Sequence, residues 1–215
     1  MPPRPTPPTT EFRVSGSDAG PYGITCGPDG ALWFTMVHDG RIGRLTPDGD
    51  VTSYQVEPAS SGPSIITTGP DDALWFTEFR SHRIGRIATT GNITSFPLPT
   101  PDAGPFGIAT GPDGALWFVE IGAGRIGRIT PDGKIDEFAL PDRASRPHAI
   151  AADDDGNCWF TEWGANRVGR ITSDGRIDEH DLPTPSSEPH GIALGPDGAV
   201  WTALEVGMVA RITPS

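Results

Sequence analysis

The chain has 215 residues, a formal net charge of −12, and many turn-forming residues, with 28 glycines and 24 prolines. So negative a surface repels phosphate backbones and anionic headgroups, which argues against nucleic acid and membrane partners, and the abundant turns disfavour a helical fold. The sequence contains no run of 18 apolar residues, the length needed to span a bilayer, and the opening MPPRPTPPTT lacks the apolar stretch of a signal peptide. We therefore expect a cytoplasmic protein with a disordered or extended tail over residues 1–9.

After this tail, one unit repeats along the chain. A tryptophan recurs every 42 residues, and the text around it recurs too, as in GPDGALWFT, GPDDALWFT and GPDGALWFV. Each unit holds four short strand candidates separated by Gly, Asp, Pro or Asn turns, and none shows a helical apolar period. Four strands in a period of about 40–45 residues are typical of a β-propeller blade. The recurring tryptophans are Trp33, Trp75, Trp117, Trp159 and Trp201.

The sequence therefore predicts an all-β, five-bladed β-propeller of four-stranded antiparallel blades. The last unit has text for only three strands, whereas residues 10–16, TEFRVSG, match the fourth-strand text of other units, such as ITSFPLP. We expect residues 10–16 to supply the missing strand and close the ring, because closure removes exposed strand edges. The single domain over residues 10–215 is divided into blades at about 20–57, 62–99, 104–141, 146–183, and 188–213 plus 10–16.

Positions that agree between the units are interpreted as structural. The arginines of the repeated RIGR text belong to this group, as does the tryptophan column. A glutamate also recurs at the end of the second strand, at Glu78, Glu120 and Glu162. These carboxylates fit either a feature of each blade or a ring around the mouth of the channel.

Positions that disagree between the units indicate a functional site. Eleven residues before each tryptophan stand Tyr22, Ser64, Phe106, His148 and His190. Thirteen residues before the tryptophan, the first three units have glycine, and the last two have Arg146 and Glu188. The last unit is also one residue shorter after its tryptophan, which displaces Glu205 from the column of recurring glutamates. Antiparallel pairing brings the start of the first strand and the end of the second to one mouth. We therefore expect Glu188, His190 and Glu205 to converge there, with His148 and Tyr22 alongside.

This cluster suggests metal-assisted chemistry. Two close carboxylates suit a hard cation such as Mg²⁺, which keeps waters that a substrate can replace. A neutral histidine nearby is a general base poised near pH 7. The set suits either proton abstraction beside a carbonyl followed by elimination, or metal-assisted hydrolysis. No GxSxG motif offers a covalent nucleophile, and the two cysteines, Cys26 and Cys158, are expected to be reduced and apart.

The strings GPYGI (20–24), RPHAI (146–150), FTEWGANRVGRIT (160–172) and EPHGI (188–192) resemble the virginiamycin B lyase family. The resemblance covers the chain after residue 10. It implies a β-propeller enzyme that inactivates type B streptogramin antibiotics. Such an enzyme opens the cyclic depsipeptide at its ester by Mg²⁺-dependent elimination.

The same resemblance implies roles for single residues. His190 would be the catalytic acid/base, Glu188 and Glu205 the metal ligands, and His148 and Tyr22 would border the substrate. The family has seven blades, whereas this chain has five units, which resemble the family's first blade and its last four.

Two other functions remain open from the residues. One is a non-catalytic or engineered propeller that serves as a scaffold or binding module after loss of blades. The other is a metal-dependent lactone or ester hydrolase that uses the same cation. The expected partner is a small cyclic depsipeptide, the expected cofactor is Mg²⁺, and the expected state is a monomer.

Overall fold

The computed structural model describes residues 9–213, and within them all regular structure is β. These residues contain no helix that could cross a membrane. The predicted tail, residues 1–9, lies outside the described part except for Thr9.

Nineteen strands in this part of the chain form five antiparallel sheets. The first sheet contains β1 (Pro21–Cys26), β2 (Leu32–Met36), β3 (Arg41–Leu45) and β4 (Val51–Gln55). The second contains β5 (Pro63–Thr68), β6 (Ala73–Glu78), β7 (Arg83–Ala88) and β8 (Ile93–Pro97). The third contains β9 (Pro105–Thr110), β10 (Leu116–Glu120), β11 (Arg125–Ile129) and β12 (Ile135–Ala139). The fourth contains β13 (Pro147–Ala152), β14 (Asn157–Glu162), β15 (Arg167–Thr172) and β16 (Ile177–Asp181), and the fifth β17 (Pro189–Leu194), β18 (Val200–Leu204) and β19 (Met208–Ile212).

Each sheet is a meander whose strands follow one another in sequence order, as the repeat predicts. Consecutive sheets contact each other through their first strands, β1 with β5, β5 with β9, β9 with β13, and β13 with β17. The cores lie between the sheets. In one such core, Trp33 and Ile42 of the first sheet are buried in a cluster with Ile66, Phe76 and Ile87 of the second.

The repeated text is structural, as interpreted from the sequence. Asp29 accepts hydrogen bonds from Trp33 Nε1 at 2.9 Å and from Arg44 Nε at 2.7 Å, which ties the first hairpin to the third strand. The glycine of RIGR is required by packing, because a Cβ atom at Gly43 would collide with the ring of Phe34. The same contacts recur in other sheets, so these residues define the blade.

The predicted cysteine state is confirmed. Cys26 is a free thiol exposed in β1, and Cys158 is a free thiol buried in β14. Burial raises the pKa of the Cys158 thiol, so this side chain behaves as a small apolar group rather than as a nucleophile.

The predicted closure by residues 10–16 is not confirmed. These residues form no strand, and β17–β19 make a sheet of three strands rather than four. The segment lies instead on the first sheet, where Val14 packs against Phe34 and Met36. Its side chains match a fourth strand, but within residues 9–213 it is paired with no strand.

Candidate functional site

The candidate site lies where first strands begin and second strands end. His190 falls between Pro189, which is paired with Leu204, and Ile192, which is paired with Thr202, and the register shifts between these two pairs. Such an irregularity re-aims side chains and is common beside active sites. The same shift occurs in the first strand of every sheet, including β13 around His148 and β1 around Tyr22, so it is a feature of the blade that the site uses.

His190 and two glutamates converge as the sequence predicts. His190 Nε2 lies 2.6 Å from Glu205 Oε1. The side chain of Glu188 hydrogen-bonds Glu205, and this contact raises the pKa of Glu188. The pKa of Glu205 is lowered, first by the hydrogen bond with Glu188 and then by the one with His190. Contact between the two carboxyl groups thus shifts their pKa values in opposite directions, as expected of two interacting acids.

The backbone that carries Glu188 is in a conformation that favours glycine. Glu188 has φ of 47° and Arg146 has φ of 52°, both in the left-handed region. The corresponding residues of the first three sheets are Gly20, Gly62 and Gly104, with φ of 64°, 65° and 58°. Side chains other than glycine are costly there, and strained residues of this kind cluster at functional sites. The two exceptions lie at the site.

A row of rings links the site to the first sheet. The His148 ring centroid is 4.7 Å from that of His190 and 4.7 Å from that of Phe106, and Phe106 is 6.3 Å from Tyr22. Burial, and then the nearby charge of His190, lower the pKa of His148, which favours its neutral form. His148 is thus beside His190 as expected, whereas Tyr22 stands at the far end of the row and meets Phe106.

Trp163 was not chosen from the sequence, and Arg146 was noted there only as a departure from its column, without a role. The ring centroid of Trp163 lies 6.0 Å from that of His190, and the guanidinium of Arg146 stacks on Trp163 at 5.0 Å. They line a cavity of about 420 Å³ together with Glu188 and Asn166. A signal was present, because Trp163 follows the second strand where other units carry smaller side chains.

The recurring glutamates do not form a ring at the mouth. Glu78, Glu120 and Glu162 have no solvent exposure and lie inside their sheets. Glu78 accepts a hydrogen bond from Ser95 of the same sheet at 2.5 Å. They are features of the blade, which settles the alternative left open by the sequence. Leu204 takes their place in β18, and Glu205 follows it at the mouth.

The donor set fits a hard cation with few protein ligands. Glu188 and Glu205 bring two carboxyl groups into contact, and a hard cation bound between them would offset the repulsion of their like charges. Within residues 9–213, no three His, Cys, Asp or Glu side chains are grouped as a full metal site. A cation here would thus complete its shell with water or substrate oxygens, as Mg²⁺ commonly does.

The sequence of the chain is similar to those of known proteins. The profile of the Virginiamycin B lyase family matches residues 5–212. A virginiamycin B lyase from Saccharopolyspora erythraea is 62% identical over 40 residues, a segment that covers 19% of this chain and 13% of the relative. The chain therefore aligns with well under two thirds of the length of that curated relative.

Solved structures match over more of the chain. A streptogramin B lyase structure is 50% identical with a TM-score of 0.90, over 94% of this chain and 67% of the other. A catalytically inactive histidine-to-alanine variant of virginiamycin B lyase from Staphylococcus aureus with quinupristin is 48% identical with a TM-score of 0.91, over 96% of this chain and 70% of the other. The five sheets thus keep the mutual arrangement found in larger proteins.

Proposed function

Because the chain belongs to the virginiamycin B lyase family, we propose that it linearises type B streptogramins by carbon–oxygen elimination at their ester. The observation that carries this proposal is the convergence of His190, Glu188 and Glu205 at one mouth. The relatives named for this activity support it, as does the inactivity of the histidine-to-alanine variant from Staphylococcus aureus.

His190 is the base in this proposal. When its Nε2 carries the hydrogen and donates it to Glu205, the other ring nitrogen has a free lone pair that can accept a proton. It takes the α proton of the substrate residue, derived from threonine, whose β carbon carries the ester oxygen. The electron pair released forms the Cα–Cβ double bond, the Cβ–O bond breaks, and the ester carboxylate leaves. No water is added, so the product has the mass of the substrate.

Glu188 and Glu205 would hold Mg²⁺. When bound, this ion polarises the carbonyl next to the α carbon and makes the α proton more acidic. The chain's own contribution is to orient the imidazole through Glu205 and to fix Glu188 on its strained backbone. His148, kept neutral by burial, and Tyr22 border the substrate from the fourth and first sheets.

The test is to incubate the protein with quinupristin and Mg²⁺ and to weigh the products by mass spectrometry. A linear product of unchanged mass is expected. A gain of one water would indicate hydrolysis instead. A folded protein with neither turnover nor metal binding would identify the chain as a scaffold.

Replacing His190 with alanine should lower the turnover rate by about 10²–10⁴-fold, the usual loss when a general base is removed. His38→Ala is the matched control, because His38 is exposed and its ring Nδ1 contacts only the carbonyl of Asp18 among the hydrogen bonds of the described residues. Turnover that survives His190→Ala in an active parent would contradict the proposed base.

Glu205→Gln should raise the Mg²⁺ concentration needed for half-maximal turnover, because it removes one anionic ligand. Isothermal titration with Mg²⁺ measures the same loss without substrate. Unchanged Mg²⁺ affinity in this variant would contradict the assignment of Glu205 as a ligand.

A further inference from the structure

The fifth sheet exposes a face that other sheets bury. Val209 is 63% exposed, whereas Ile42, Ile84 and Ile126, at the corresponding position, have no exposure. Trp201 is 36% exposed, although the other four tryptophans of its column are at most 2% exposed. This face is the half of a sheet-to-sheet interface that normally covers the next sheet along the chain.

The first sheet exposes the opposite half. Ile24 is 62% exposed, whereas Ile66, Ile108 and Ile150, at the corresponding position, are 5–8% exposed. Beside Ile24 lies an apolar groove of about 300 Å³, whose lining includes Phe12, Val14, Phe34 and Leu45.

The groove contains the residues that receive a tryptophan elsewhere in the molecule. Between the first and second sheets, Trp33 is buried in a cluster with Ile66, Phe76 and Ile87. One repeat earlier, the counterparts of these three are Ile24, Phe34 and Leu45, which line the groove. The groove is therefore a tryptophan site whose tryptophan would come from a preceding sheet.

Residues 10–16 are placed like the outer strand of such a preceding sheet. Phe12 lies over Gly49, where an added Cβ atom would meet its ring. In the same way Tyr54 lies over Gly91 and Phe96 over Gly133, and both belong to the fourth strand of the preceding sheet. The three-stranded sheet β17–β19 lacks the fourth strand that this segment resembles.

From these correspondences we propose that a second copy of the chain binds head to tail. The face of β17–β19 in one copy, with Trp201 and Val209, covers the groove beside Ile24 in the next. Residues 10–16 of that next copy pair with β19. The contact continues the interface that already joins each sheet to the following one. The proposed assembly differs from the monomer that the sequence predicts, and the experiment below distinguishes the two.

The two surfaces differ, so the contact does not close on itself as a two-fold dimer does. The five sheets of one copy align with 67% of a relative's chain, which is more than half of that ring. Two copies with the same curvature would therefore overlap if they lay in one plane. It has to rise out of that plane, which leaves free surfaces at both ends. Each copy carries −12, and salt should therefore strengthen the association by screening repulsion.

Sedimentation velocity over a range of protein concentrations tests the proposal. The unmodified chain should form dimers and larger species as its concentration rises, and more so at higher salt. Ile24→Glu blocks the groove and Val209→Glu blocks the opposite face. Each variant should weaken association at least about 100-fold, because a charge would be buried without a partner. Val51→Glu, at an exposed apolar position in β4, is the control and should associate normally.

The decisive arm mixes the two blocked variants. Ile24→Glu keeps an intact fifth-sheet face and Val209→Glu keeps an intact groove, so the mixture should form one-to-one dimers that grow no further. Circular dichroism of each variant verifies folding. An unmodified chain that stays monomeric at every concentration overturns the proposal, and a mixture without dimers does so as well. In either case the end faces are covered within one copy or by another protein.

Discussion

The side chain of Glu120 is an acid enclosed by its sheet. It has no solvent exposure, and burial, reinforced by the neighbouring charge of Glu137, raises its pKa to about 8. Glu162 is in the same situation beside Glu179, with a pKa of about 7. Between pH 4.5 and about 7, both side chains therefore hold their proton in the folded protein to a greater extent than in the unfolded chain.

This difference makes stability fall as the pH rises. Between the unfolded pKa of 4.5 and the folded value of about 8, the folded state binds more protons at Glu120 than the unfolded state does. The stabilisation is complete below the lower value and is lost as the pH rises through the upper one, with a slope of up to about 1.4 kcal/mol per pH unit.

Glu120→Gln, which cannot ionise, should flatten that slope. The difference in the free energy of unfolding between the variant and the unmodified chain should therefore favour the variant more at pH 8 than at pH 5. Urea unfolding at the two pH values measures the difference. If the variant and the unmodified chain lose stability in parallel, Glu120 does not carry the effect.

At this scale the sequence located the site better than it explained the recurring glutamates. His148, His190, Arg146 and Glu188 depart from their columns, and a departure inside a repeat shows directly in the text. The burial of Glu78, Glu120 and Glu162 does not show there, because it depends on the fourth strand of the sheet and on side chains distant in sequence.

At the scale of elements, a threonine at the end of the second strand joins neighbouring sheets. Thr161 Oγ1 accepts a hydrogen bond from the amide of Ala149 at 3.0 Å and donates one to the carbonyl of His190 at 2.9 Å. Thr77 makes the same link two interfaces earlier, between the second and third sheets, from the amide of Ile65 at 3.2 Å to the carbonyl of Phe106 at 2.8 Å. The first link fixes the backbone of the proposed base, and the second does not.

Thr161→Val and Thr77→Val should therefore lose similar stability but differ in activity. Each leaves one amide and one carbonyl without their hydroxyl partner, at a cost of about 1–3 kcal/mol. Only Thr161→Val should also lower turnover and shift the NMR resonances of the His190 ring. Thermal unfolding and the quinupristin assay give the two readouts. Equal losses of turnover in both variants would show that the link at His190 is merely structural.

The strands were predictable because apolar alternation and Asp-Gly turns repeat with each unit. The fourth strand of the last sheet was not, although residues 10–16 have the right side chains. Phe12 and Val14 pack on the first sheet as such a strand would. The pattern of apolar side chains predicts which residues pack but not which strand they pair with. Pairing with β19 depends on how far the five sheets curve, which no local sequence feature specifies.

At the scale of the whole molecule, the five sheets have nearly the same fold but differ in how much of their surface is covered by neighbouring sheets. The strand β10 is buried along its whole length, between neighbours on both sides. In β18 only alternate residues are buried, because one face of the fifth sheet is uncovered. In repeat architectures stability is approximately a sum of unit and interface terms, so a unit with one interface opens more readily than a unit with two.

Hydrogen exchange should therefore be graded along the chain. All three of β2, β10 and β18 are second strands with hydrogen-bonded neighbours on both sides. At dilute concentration, where copies are apart, amides of β2 and β18 should nevertheless exchange at least about 10-fold faster than those of β10. Mass spectrometry of peptides that cover these strands makes the comparison within one molecule, which removes differences in solution conditions. Raising the concentration should slow exchange in β2 and β18 while leaving β10 unchanged, since association covers only the end sheets. Equal protection of all three strands in the dilute protein would mean that the end faces are already covered in a single copy, as they would be in a closed ring.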